Sequence, residues 1–122
     1  MNIPIREIYR SIAEVAYVIA KADKGLSATE RIAFNTIIQE ELDYNSWVAQ
    51  SRFELLDEVT QPSLEEAYKD AMIDLKRYKG SITPELKEKA KRVVKRVAES
   101  CCGFSAKEAL ILVKFERDLD AL

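Results

Sequence analysis

One segment of this chain occurs twice, and the repeat constrains the fold more than any other feature. Residues 15–38 (VAYVIAKADKGLSATERIAFNTII) and 93–116 (VVKRVAESCCGFSAKEALILVKFE) align without a gap, at a constant offset of 78 residues. Ala20, Gly25, Ser27, Ala28 and Glu30 fall on Ala98, Gly103, Ser105, Ala106 and Glu108. Apolar positions match as well: Val15 with Val93, Ile19 with Val97, Leu26 with Phe104. Each copy reads as a helix, a tight glycine turn, then a second helix opened by a Ser-x-x-Glu capping box. A helical hairpin cannot bury its apolar stripe alone. Two such hairpins in 122 residues therefore predict one domain over 1–122, with the hairpins stacked on each other and on the helices between them.

The rest of the chain supports an all-α fold, a single compact bundle of about six to seven helices with two pseudo-symmetric hairpins. Pro4 suits a first helical turn, and Ile5, Ile8, Ile12, Val15 and Ile19 then follow at spacings of three and four, one stripe of an amphipathic helix. Ala33 and Ile37, with Phe34, Ile38 and Leu42, give the second helix its apolar side. Asp43–Ser46 predicts a turn, and a shorter helix follows from Trp47 to Val59 with Leu55 and Leu56 facing inward. Ser63 and Glu66 form another capping box, and Gly80 closes the helix that they open. Thr83-Pro84-Glu85 starts the fifth helix with a capping hydroxyl, a proline at the first position and an acid at the positive helix end. Leu112, Phe115, Leu119 and Leu122 line the inner side of the sixth.

Composition removes whole classes of chemistry. The chain has no histidine, which excludes within it Ser-His-Asp and Cys-His catalysis, histidine-ligated zinc and histidine pH switching. A net charge of −2 gives no global attraction to nucleic acid. No apolar run approaches the roughly 20 residues of a membrane span, and the N-terminus lacks a signal-peptide core, so a cytoplasmic protein without membrane insertion is expected. Nothing resembles a phosphate-binding glycine loop or a nucleophile elbow, and no carboxylate pair has a distinctive spacing. A binding or structural role is expected rather than an enzyme.

Three groups of residues invite a functional reading. Asp23 to Glu30 resembles the back half of a calcium loop, but that register puts Ile19 and Lys21 where an EF-hand needs ligand oxygens. Asp23, Glu30 and the Glu40, Glu41, Asp43 group at the far end of the same helix are still oxygen donors of the kind hard divalent cations take. The competing role is helix capping by Glu30, and Glu108 recurs in the second copy while Asp23 is replaced by Cys101. Cys101 and Cys102 extend the apolar stripes through Val97 and Ala98, which favours core packing over thiolate capture of a soft metal. Charge is segregated: residues 54–74 are acidic and 83–99 basic, read as solvated faces or as an acidic helix against a basic one.

At the repeated turns the sequence resembles the TerB-like family, named for a tellurite-resistance protein. The resemblance is carried by Ala20-Lys21-Ala22-Asp23-Lys24-Gly25-Leu26-Ser27-Ala28-Thr29-Glu30 and Ala98-Glu99-Ser100-Cys101-Cys102-Gly103-Phe104-Ser105-Ala106-Lys107-Glu108. It implies an all-α bundle with internal pseudo-symmetry, a stress-response setting, and divalent metal held by acidic residues of the turn region, here Asp23, Glu30 and Glu108. Two functions are thus expected to compete. One is weak binding of a divalent cation near the first repeat turn. The other is a metal-free helical scaffold for a protein partner, using a helix face or the Tyr44/Trp47 corner.

Overall fold

The computed structural model describes residues 3–22, 28–42, 46–56, 63–100 and 106–122. These form six α-helices and, among the described residues, no strand: α1 (Ile3–Lys21), α2 (Ala28–Leu42), α3 (Ser46–Glu54), α4 (Leu64–Arg77), α5 (Pro84–Glu99) and α6 (Ala106–Asp120). The glycine turns at Gly25 and Gly103 and both cysteines lie outside the described residues.

The helix ends that are described follow their local chemistry. The Ser63 hydroxyl accepts the Glu66 N–H at 3.2 Å and donates to the Glu66 carboxylate at 3.2 Å. Thr83 accepts the Leu86 N–H at 3.1 Å, with Pro84 as the first helical residue. Such a cap is worth about 0.5–2 kcal/mol. At its other end α4 stops at Arg77, before the expected glycine. The Tyr78 N–H still reaches Asp74 at 3.1 Å, and Gly80 falls within a short 3₁₀ turn, Lys79–Ser81.

The main departure from the sequence reading concerns α1. Its spacing predicts one apolar stripe, yet every residue from Ile8 to Tyr9 and from Ser11 to Ala20 is buried. The cause is the filling of the remaining faces by Ala13, Ala16, Val18 and Ala20, so that α3, α4, α5 and α6 all pack around it. A helix apolar on all sides becomes the centre of its domain. The other helices keep a solvent face. Just after α3, Leu56 is buried but Leu55 is 40 % exposed, so only one of that pair faces inward.

The repeat survives as matched burial. Val15 and Val93, Ile19 and Val97, Ala20 and Ala98, Phe34 and Leu112, and Ile37 and Phe115 are all buried. The hairpins also lean on each other reciprocally, α2 against α5 and α6 against α1. Aromatic packing secures the first hairpin to α3: Phe53 stacks on Phe34 at 3.7 Å between ring centroids and meets Tyr17 edge-on at 6.1 Å. Each such pair adds about 0.5–1.5 kcal/mol beyond area burial.

Candidate binding groove

Both α4 and α6 rest on α1, but few contacts join them to each other directly. The trench left between them has a volume of about 680 Å³ and Val18 of α1 at its floor. Its existence follows from the sequence of α4. The small residues Ala67 and Ala71, with Leu75, form the row buried against α1. The neighbouring row, Leu64, Tyr68 and Met72 at i, i+4 and i+8, is turned about half away and becomes one wall. Ile111, Lys114 and Asp118 of α6 make the other.

A hydrogen bond spans the trench, from the Tyr68 hydroxyl to Asp118 Oδ2 at 2.6 Å. Burial, and then the hydrogen bond to the Asp118 carboxylate, push the Tyr68 phenol well above its ordinary range, so it remains a donor. Lys114 Nζ lies 4.8 Å from the centre of the Tyr68 ring, a cation–π contact that holds the ammonium over the opening. Exposed aliphatic side chains occur on both helices. Ile73 is 47 % exposed on the α4 side. Leu110, four residues before Lys114 and hence beside it on the helix surface, is 72 % exposed.

Sequence reasoning did not foresee the groove. A signal was present in α6. Ala109-Leu110-Ile111-Leu112-Val113 is apolar around more than a full helical turn, and of these only Leu112 is buried. One buried face cannot account for such a run, which points to a second apolar surface.

The acidic residues singled out by sequence are not brought together in the described part of the molecule. Asp23 lies outside the described residues, as does the Glu30 side chain, although Glu30 belongs to the first turn of α2. Glu108 is half-buried in the first turn of α6. Glu40 and Glu41 are taken up by α5: Arg96 binds Glu40 at 2.8 Å and Glu41 at 3.2 Å, and Arg92 binds Glu41 at 2.9 Å. Ten helical residues separate Glu30 from Glu40, about 15 Å of rise, too far for one ion with ligand distances near 2.5 Å. Among the described residues no three His, Cys, Asp or Glu side chains are placed to share a metal ion. The basic helix therefore pairs with α2, not with the acidic α4 as its charge alone suggested.

Trp47 is 61 % exposed at the start of α3, and Tyr44, its expected partner in an aromatic corner, lies outside the described residues. Among the described residues no helix is long and apolar enough to cross a membrane. No protein-family model matches the chain, and neither curated proteins nor solved structures give a match to it.

Proposed function

We propose that this protein is a non-catalytic helical scaffold whose α4/α6 groove receives an amphipathic helix of another polypeptide. The observation that carries this reading is the apolar trench, with Ile73 exposed on its α4 wall and Leu110 exposed one helical turn before Lys114 of its α6 wall. From Leu64 to Lys76 the α4 wall runs about 18 Å, the length of roughly three helical turns. That span suits a helix laid in a groove through anchors at i, i+3 or i+4, and i+7. Its apolar walls and volume also fall within the range of sites that hold ligands.

The first test uses 8-anilinonaphthalene-1-sulfonate on the folded protein at neutral pH. We expect fluorescence enhancement that Ile111→Glu abolishes, with the melting temperature little changed because Ile111 is only partly buried. Loss of the signal in Trp47→Ala instead, with Ile111→Glu unaffected, would move the binding surface to the α3 corner and overturn the groove. The cation reading of Asp23 and Glu30 makes a separate demand. Ca²⁺, Mg²⁺ or Mn²⁺ added to chelator-treated protein must raise the melting temperature, and Glu30→Gln must remove the rise. We expect no rise.

A further inference from the structure

The rim of the groove has a charge of its own, distinct from that of the chain. The protein is acidic overall, with a net charge of −2, yet Lys69, Lys76 and Lys114 surround this opening. None of the three takes part in an ion pair among the described residues, whereas Arg10, Arg52, Arg92, Arg96 and Lys91 are all paired. Two acids stand at the same opening, and one of them is already engaged. Asp118 accepts the Tyr68 hydroxyl and lies 3.9 Å from Arg117. Glu65 stands in the first turn of α4, where the positive end of the helix offsets it.

Resting on the groove reading above, we infer that the partner helix is acidic, with carboxylates flanking its apolar stripe on both sides. Lys69 and Lys76 are seven residues apart, two turns along one edge of the wall, and about 10.5 Å of rise separates them. They match carboxylates at i and i+7 on one flank of a docked helix. Lys114, held over Tyr68 on the opposite wall, meets the other flank. A basic helix would bring like charges onto three ammonium groups, with Glu65 the one lining acid outside an ion pair among the described residues, which selects against it. The α6 face of a second copy is a poor occupant by the same rule, because it carries the exposed Lys107, Lys114 and Arg117 beside Leu110 and Val113.

The test compares two labelled peptides of about 14 residues. Both carry leucines at i, i+3, i+7 spacing, with glutamates on both flanks in one and lysines in the other. We expect the acidic peptide to bind at least about tenfold tighter, and its affinity to fall several-fold between 50 and 200 mM salt. Lys69→Glu/Lys76→Glu should reverse the preference. Lys89→Glu/Lys95→Glu, with the same change in net charge on α5, should not. Trp47, the sole tryptophan, serves as an internal control whose emission should stay unchanged. Equal binding of both peptides, abolished by Ile111→Glu, overturns the charge inference and leaves the groove standing. Binding of neither peptide overturns both. A dimer of the protein alone, dissociated by Ile111→Glu in sedimentation, assigns the groove to a second copy and also overturns the acidic partner.

Discussion

Residues 14 and 92 stand immediately before the two copies of the repeat, at the same offset, and each makes an ion pair, but with opposite charge and in different surroundings. Glu14 on α1 is 1 % exposed and accepts two hydrogen bonds from Arg52 of α3, at 2.7 and 3.1 Å. Arg92 on α5 has half its side chain in solvent and donates to Glu41 of α2 at 2.9 Å. The repeat gives both helices the same inward positions. What differs is the cover supplied by the segment between the copies: α3 and α4 enclose α1, while α5 keeps an open face. The same position thus holds a buried charge in one half and a solvated one in the other.

The sharpest way to break this comparison is to remove the cation from the buried pair. Arg52→Met leaves the Glu14 carboxylate enclosed without its partner, and a loss of about 3–5 kcal/mol is expected from denaturant midpoints. Glu14→Gln should cost far less. The Arg52 side chain is 31 % exposed, so an unpaired guanidinium there can still reach water. Equal losses from the two variants would mean that the pair is valued for its geometry rather than for shielding one buried charge.

Proton linkage separates the two sites by sign. Burial raises the Glu14 pKa and outweighs the opposing charge and hydrogen bonds of Arg52, with Asp74 and Asp70 adding to the rise. The folded protein therefore holds this proton more tightly than the unfolded chain does. The resulting stability is fully present below the ordinary value of 4.5 and is lost as pH rises through the folded value. For Glu41 burial also pushes upward, but hydrogen bonds and charges from Arg92 and Arg96 outweigh it and the net pKa is lowered. Its contribution is present above 4.5 and is lost as pH falls through the folded value. In melting curves against pH, Glu14→Gln should gain on the wild type as pH rises, and Glu41→Gln should gain as pH falls. Parallel trends would show that the two environments do not differ as described.

Much of this architecture was legible in the sequence because caps and apolar spacing are local. Thr83-Pro84 and Ser63-x-x-Glu66 begin helices where they should, and the matched positions Val15/Val93 and Ile19/Val97 are buried in both halves. The centrality of α1 was written less plainly, in the small apolar residues between its large ones. Glu14 gave no signal as a buried charge, because Arg52 lies 38 residues away and only the tertiary fold brings them together. The groove was hidden for the same reason: which half-turned row of α4 stays uncovered depends on where α6 settles. Lys69, Lys76 and Lys114 look like ordinary surface lysines until two helices are placed side by side.

Smaller effects are expected where the comparison moves to the surface. Arg92→Ala should cost at most about 1 kcal/mol, and less at high salt, since an exposed pair gains little over solvated charges. A cost near that of Arg52→Met would show that the α2–α5 contact depends on this network as strongly as the first hairpin depends on its buried pair.

The smallest effect on stability is also the most discriminating for function. Ile32 and Leu110 are repeat equivalents, 69 % and 72 % exposed on α2 and α6. Ile32→Ser and Leu110→Ser should each change stability by no more than about 0.5 kcal/mol, because neither side chain is held by the core. Their consequences for binding should differ. Leu110 is one turn before Lys114 on α6, the helix that forms one wall of the groove, whereas Ile32 is on α2, which forms neither. Titration with the acidic peptide should weaken severalfold in Leu110→Ser and remain unchanged in Ile32→Ser. Equal weakening would make the exposed aliphatic position itself, repeated in both hairpins, the binding determinant. Weakening only in Leu110→Ser would show that the repeat supplied two similar surfaces and that the placement of α4 turned one of them into a site.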